Sequence, residues 1–146
     1  MKPAIKIILL LTLAASFSRL AISQQDAANP SPAEQQFFAW MDEVNQLNGQ
    51  LGYYLKEKDG AEAAKAAHQM QQVFVKISAF FASKKTATAA TYAKKAVEGF
   101  QQTGELAAAG KLPEALQKYY DTRANCEGCH KEHRVRTPDG NWQIKY

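Results

Sequence analysis

Five residues near the C-terminus carry the most specific chemistry in the chain: Cys126-Glu127-Gly128-Cys129-His130. Two thiols two residues apart, followed at once by an imidazole, form the C-x-x-C-H spacing of covalent haem attachment. Each thiol can add across a porphyrin vinyl group, and the adjacent imidazole reaches the iron as an axial ligand. On a helix Cys126 and His130 are i and i+4, so a thioether and the ligand share one face. The other chemistries open to these residue types ask for more. A structural zinc site takes four ligands, usually through a second Cys or His pair, and the chain has no other cysteine. A thioredoxin-type C-x-x-C sits beside a βαβ pattern, and none is visible. A disulfide is chemically available in an oxidising compartment, but across two helical residues it would constrain almost nothing.

The elements that position this motif begin after an export segment. Lys2 and Lys6 precede an almost unbroken apolar run from Ile7 to Phe17, and Ala21-Ile22-Ser23 supplies small residues for cleavage. Residues 1–23 therefore read as a secretory signal peptide. The run is too short for a comfortable membrane span, so no span is expected after cleavage. Three of the 18 basic residues, Lys2, Lys6 and Arg19, lie in that segment, leaving 15 against 14 acidic residues. Two haem propionates would bring this +1 to about −1, which gives nucleic-acid binding no electrostatic support.

Residues 24–30 read as a disordered arm. Ser31 as N-cap, Pro32 at the first helical position and Glu34 three residues on make a capping box. Helix A runs from there to about Lys58, with Phe37, Met41, Val44, Leu47 or Asn48, Leu51 and Leu55 at three-four spacing. Asp59 and Glu62 make a second capping box. Helix B covers roughly 61–83, with Ala66, Met70, Val73, Phe74, Ile77 and Phe81 on one side. Helix C spans about 88–109 and stops at Gly110, and Pro113 opens helix D. Leu116, Tyr119, Arg123, Cys126, His130 and His133 then follow at three-four spacing, which puts the motif on the buried stripe. No strand-like alternation of any length is present. The expectation is an all-α, antiparallel up-down-up-down four-helix bundle over 31–136 with covalently attached haem, followed by a tail over 137–146 with a Pro138-Asp139-Gly140 turn.

The mature chain as a whole resembles the class II cytochromes c, the cytochrome c′ family. The resemblance rests on the helix count, the C-terminal placement of C-x-x-C-H, and Arg134 four residues beyond the histidine. Thr122-Arg123, Ala109-Gly110-Lys111-Leu112 and Met41-Asp42-Glu43-Val44-Asn45 are also similar to the soluble b-type cytochrome that shares this bundle. The sequence departs from the family pattern at Phe37, where many members carry Arg, and in its longer tail. The resemblance implies one haem c per chain and two alternatives at the distal side. A helix A methionine can ligate iron in a low-spin electron carrier, or an open apolar side can leave five-coordinate iron that takes up nitric oxide or carbon monoxide.

Depth along the helices sorts the candidate sixth ligands. In the expected topology the start of A, the end of B, the start of C and the end of D lie together. Met41 is then about 14 Å into the bundle and His130 roughly 8 Å. His68 falls some 22 Å from the near end of helix B, at the opposite end. His133 is one turn beyond His130, on the same side of the ring, and reads as a supporting or surface residue. By depth Met70 is core filler. Met41, or nothing, remains; in the second case Met41 is an adaptable core residue beside the haem.

Tyr119, Arg123 and Arg134 are candidate neighbours of the porphyrin and its propionates. Lys84, Lys85, Lys94, Lys95, Lys131, Arg134 and Arg136 gather at the haem end, a positive edge suited to an acidic redox partner. Phe38, Trp40, Tyr53 and Tyr54 either complete the core or form a homodimer surface. The leading expectation is a periplasmic, bacterial, single-electron carrier with His130 proximal and Met41 distal; the alternative is the five-coordinate gas binder. An enzymatic role such as a peroxidase is not expected, because no distal histidine or acid is placed to assist O–O cleavage.

Overall fold

A computed structural model of the chain describes residues 30–146. The signal peptide expected over 1–23, and the arm up to residue 29, lie outside the described residues. Four long helices make up most of the rest: α1 (Pro32–Lys56), α2 (Gly60–Ser83), α3 (Ala87–Ala108) and α4 (Leu112–His133). Among the described residues no helix is long and apolar enough to cross a membrane.

Local chemistry sets the helix ends. The Ser31 hydroxyl accepts the Glu34 N–H, and the Ser31 N–H donates to the Glu34 carboxylate at 2.9 Å, closing the expected capping box. At α2 the Asp59 carboxylate accepts the Glu62 N–H at 3.1 Å, which supplies half of the second box. The first three helices stop in the same way. Lys58, Lys85 and Gly110 adopt left-handed φ values of 60°, 57° and 72°. The residue after each then sends its N–H back five positions, from Asp59 to Tyr54, Thr86 to Phe81 and Lys111 to Leu106. Only Gly110 advertises that stop in its residue type.

The helices pack in the expected up-down-up-down sense. Phe37 near the start of α1 stacks on Phe80 near the end of α2, with ring centroids 4.8 Å apart. Thr88 at the start of α3 meets His133 at the end of α4, with Oγ1 2.8 Å from Nε2. The inward stripes are buried as their spacing implies at Val44, Leu47, Leu51 and Leu55 of α1, Met70, Val73 and Ile77 of α2, Ala96 and Phe100 of α3 and Tyr119 of α4, whereas Leu116 of α4 is half-buried and its neighbour Ala115 takes the inner position. Phe38, Trp40 and Tyr54 are half-buried against this core, while Tyr53 points outward. α3 and α4 approach closely at Gly99, where a Cβ atom would collide with the Thr122 side chain. α1 and α4, by contrast, touch each other least of the neighbouring pairs.

The chain after α4 differs from expectation. Helix D does not run to Arg136; it ends at His133, and Arg134 turns extended at φ −122° and ψ 127°. Arg134–Arg136 forms β1, which pairs antiparallel with β2 (Trp142–Ile144), and Gly140 takes φ +88° in the connecting turn. The tail expected over 137–146 is thus the second half of a hairpin. Strands of three residues are too short to show alternation, but Trp142, Ile144 and Tyr146 do recur at period two. The hairpin folds back on the bundle: Ile144 is buried, and the Lys145 N–H donates to the His133 carbonyl at 2.9 Å.

Candidate functional site

A cavity of about 480 Å³ opens in the loosely packed seam between α1 and α4. From α4 it receives Arg123, Cys126, Cys129, His130 and His133, and from β1 Arg134; from the facing helix α1 it receives Phe38, Met41, Asn45 and Asn48. Met70, Phe74, Ile77 and Phe81 of α2 make the apolar inner wall. Small residues of α3, Ala93 and Ala96, leave it room. The structure therefore brings together six of the seven residues singled out in the sequence: Met41, Arg123, Cys126, Cys129, His130 and Arg134.

Tyr119 is the seventh and does not line the cavity. It is buried below it, where its hydroxyl donates to the Asn48 backbone carbonyl at 3.1 Å and to the Asn48 side-chain oxygen at 2.9 Å. It clips α4 to α1 under the cavity floor, with the Arg123 guanidinium 5.8 Å above its ring. His68 is exposed on the outer face of the molecule, among Gln71 and Gln72, as its depth implies. Met70, excluded as a ligand by depth, reaches the inner wall all the same.

Several lining residues were not foreseen. Trp142, Gln143 and Ile144 of the hairpin close one end of the cavity, and Tyr92 of α3 forms a side. The Tyr92 ring lies against Gly128, where a Cβ would come within 2.8 Å of Cε1, and its hydroxyl donates to Glu132 at 2.7 Å. The glycine between the two cysteines is what admits that ring.

The electrostatics keep the central groups neutral. Burial pushes the Cys126 thiol up to about 11 against the opposing pull of Arg123, and burial with the neighbouring Cys126 takes Cys129 to about 11. The two thiols are free rather than joined. Burial, with Arg134 adding to it, holds His130 below its ordinary value, so its imidazole is neutral near pH 7 and has a lone pair for a metal. Thr88 and the hairpin fix His133 at both ring nitrogens: Nδ1 donates to the Lys145 carbonyl at 2.9 Å, and Nε2 faces Thr88.

The donor set suits a metal carried within an organic ring better than a bare ion. Among the described residues no three His, Cys, Asp or Glu side chains converge to hold a metal ion. Two neutral thiols, a neutral imidazole, a facing thioether and an apolar wall instead match the needs of a large flat prosthetic group, and Arg123 and Arg134 can meet its carboxylates. Compared with models of protein families, with curated proteins and with solved structures, the chain matches none.

Proposed function

We propose that this chain is an exported, periplasmic c-type cytochrome that passes single electrons through one covalently held haem. The convergence of Cys126, Cys129 and His130 with Met41 of the opposite helix, around one apolar cavity of about 480 Å³, carries this reading. Cys126 and Cys129 would hold the group as thioethers, each S–H adding across a vinyl double bond with sulfur on one carbon and hydrogen on the other, so that no oxidant would be consumed. His130, held on α4, would supply an imidazole nitrogen to the iron. Met41 supplies a sulfur from α1. Arg123 would neutralise a propionate and the phenylalanines of α1 and α2 would exclude water, while Arg134 stays at the rim, stacked on Trp142. The haem iron supplies the one-electron couple when bound; methionine ligation favours the ferrous state. On this reading the protein is a carrier rather than an enzyme.

One observation favours a second reading. Phe37, Phe38 and Val44 flank Met41 on the cavity's α1 side, beside Asp42, Asn45 and Asn48, and the apolar part of that face admits an uncharged diatomic gas. If Met41 stays off the iron, the protein is a five-coordinate binder of nitric oxide or carbon monoxide.

Acid-acetone extraction tests covalent attachment: pigment retained by the protein is expected, and pigment released into the solvent rejects the thioethers. Optical spectra then separate carrier from gas binder. Low-spin ferric iron with a weak methionine–iron charge-transfer band marks the carrier, and high-spin iron that binds carbon monoxide readily marks the alternative.

A further inference from the structure

The hairpin end of the molecule has a charge distribution that the cavity does not use. Lys84, Lys85, Lys131, Arg134, Arg136 and Lys145 are all exposed there. Among the described residues, none of these six lies in an ion pair. The carboxylates nearby are already engaged. Glu34 is held by Ser31 and Tyr146, Glu132 by Tyr92, and Asp139 by Asn141. These three carboxylates keep their charge, so six cations against them leave positive charge in excess at this end.

Trp142 stands in the middle of this end. The Arg134 guanidinium lies 4.1 Å from its ring centroid and that of Arg136 lies 5.0 Å away. The side chain remains 46% exposed, and the same residue lines the cavity. Stacking on the indole holds both guanidiniums in place at low entropic cost; Arg136 Nε donates to the Gly140 carbonyl at 3.0 Å, which leaves its terminal N–H groups for carboxylates. An exposed tryptophan flanked by ordered arginines has the composition of an interface hot spot.

We propose that the hairpin end is the docking surface for an acidic protein, with Trp142, Arg134 and Arg136 at its centre. The occupant follows from charge complementarity. Guanidinium N–H groups match side-chain carboxylates, and six cations around only three exposed apolar side chains, Val135, Trp142 and Tyr146, favour an acidic protein over insertion into a lipid surface. The purpose of the contact, electron exchange at the cavity edge, rests on the cytochrome reading. The docking itself does not.

Nuclear magnetic resonance of the isotope-labelled full-length holoprotein, titrated with poly-L-glutamate at low salt, tests the surface. Shifts are expected at the Trp142 indole N–H and at the amides of 134–136 and 142–146. The double variant Arg134→Gln/Arg136→Gln should weaken binding about tenfold, as should Trp142→Ala. Trp142→Phe, which keeps a ring for the guanidiniums, should retain most of it, and Lys56→Gln/Lys111→Gln at the far end should change nothing. If Trp142→Ala unfolds the hairpin, seen as lost protection of the Lys145 amide, the arginine double variant decides. Shifts spread over the whole surface, equal losses from the far-end lysines, or binding to phosphatidylglycerol vesicles but not to poly-L-glutamate would each overturn the proposal. These outcomes do not depend on thioether attachment or electron transfer, so failure of docking stays distinct from failure of the cytochrome reading.

Discussion

The phenol of Tyr146 donates to the Glu34 carboxylate at 2.8 Å, joining positions 112 residues apart. Glu34 also takes the Ser31 hydroxyl at 2.6 Å, so one carboxylate both caps α1 and anchors the hairpin. Tyr146 is steadied in turn by the Lys84 ammonium, 5.3 Å from its ring centroid, and by Phe80.

This anchor has a pH signature. The Ser31 hydrogen bond, with Tyr146 adding to it, holds Glu34 below its ordinary value of 4.5 despite some burial. A depressed carboxylate contributes stability above its unfolded pKa and loses it as pH falls through the folded value. Tyr146→Phe is expected to cost about 0.5–1 kcal/mol at neutral pH, a small figure because the pair is largely exposed. The difference from the parent should close as the pH falls below 4.5. Urea unfolding of both proteins across that range is the measurement; a gap that persists in acid would mean the hydroxyl contributes independently of the Glu34 charge.

Gly99 and Thr122 set the distance between α3 and α4. Gly99→Ala places a methyl group inside the Thr122 side chain and should destabilise the fold by roughly 2 kcal/mol, as overpacked positions do. Adding Thr122→Ala should recover part of the loss. Non-additivity in the double-mutant cycle is the decisive result, since two independent defects would simply sum.

Met41 and Met70 both reach the cavity wall, which makes them a matched pair of probes. On the carrier reading, Met41→Leu abolishes the methionine–iron charge-transfer band, lowers the midpoint potential and opens the iron to carbon monoxide. Met70→Leu should leave all three readouts close to the parent's. A spectrum indifferent to Met41→Leu would transfer support to the gas-binding reading, and one sensitive only to Met70→Leu would reassign the sulfur.

Lys58 holds φ at 60° without any side-chain reason to do so. Removing the Cβ penalty with Lys58→Gly is expected to raise stability by about 0.5–1 kcal/mol, the left-handed cost less the added freedom of the unfolded chain. Lys58→Ala, which keeps the Cβ, should give no such gain. Thermal melts of the three proteins are sufficient to compare them.

The four helices were legible because each had a chemical start and a stripe of fixed period. Ser31 with Glu34, Asp59 with Glu62 and Pro113 mark starts, and the apolar residues from Phe37 to Leu55 and from Ala66 to Phe81 follow the bundle spacing. The stops were harder to read. Lys58 and Lys85 do the work of glycine, and the end of α4 carries neither glycine nor proline, so the helix was extrapolated three residues too far. The site was legible where residue type and helical face were enough, as for Cys126, His130 and Met41. It was not legible where tertiary folding decided. Tyr119 shares the stripe but sits under the cavity floor, bonded to Asn48. Trp142 and Ile144 reach the cavity only because a hairpin turns them back.

The seam between α1 and α4 is pinned at two places, by Tyr119 on Asn48 beneath the cavity and by Tyr146 on Glu34 beyond it. Between those pins the two helices have little direct packing. Whatever occupies that space is a stitch joining the first helix to the last, so loading the cavity and closing the bundle form one equilibrium. Amide exchange along α1, the helix with the fewest neighbours of its own, should therefore report occupancy of the cavity.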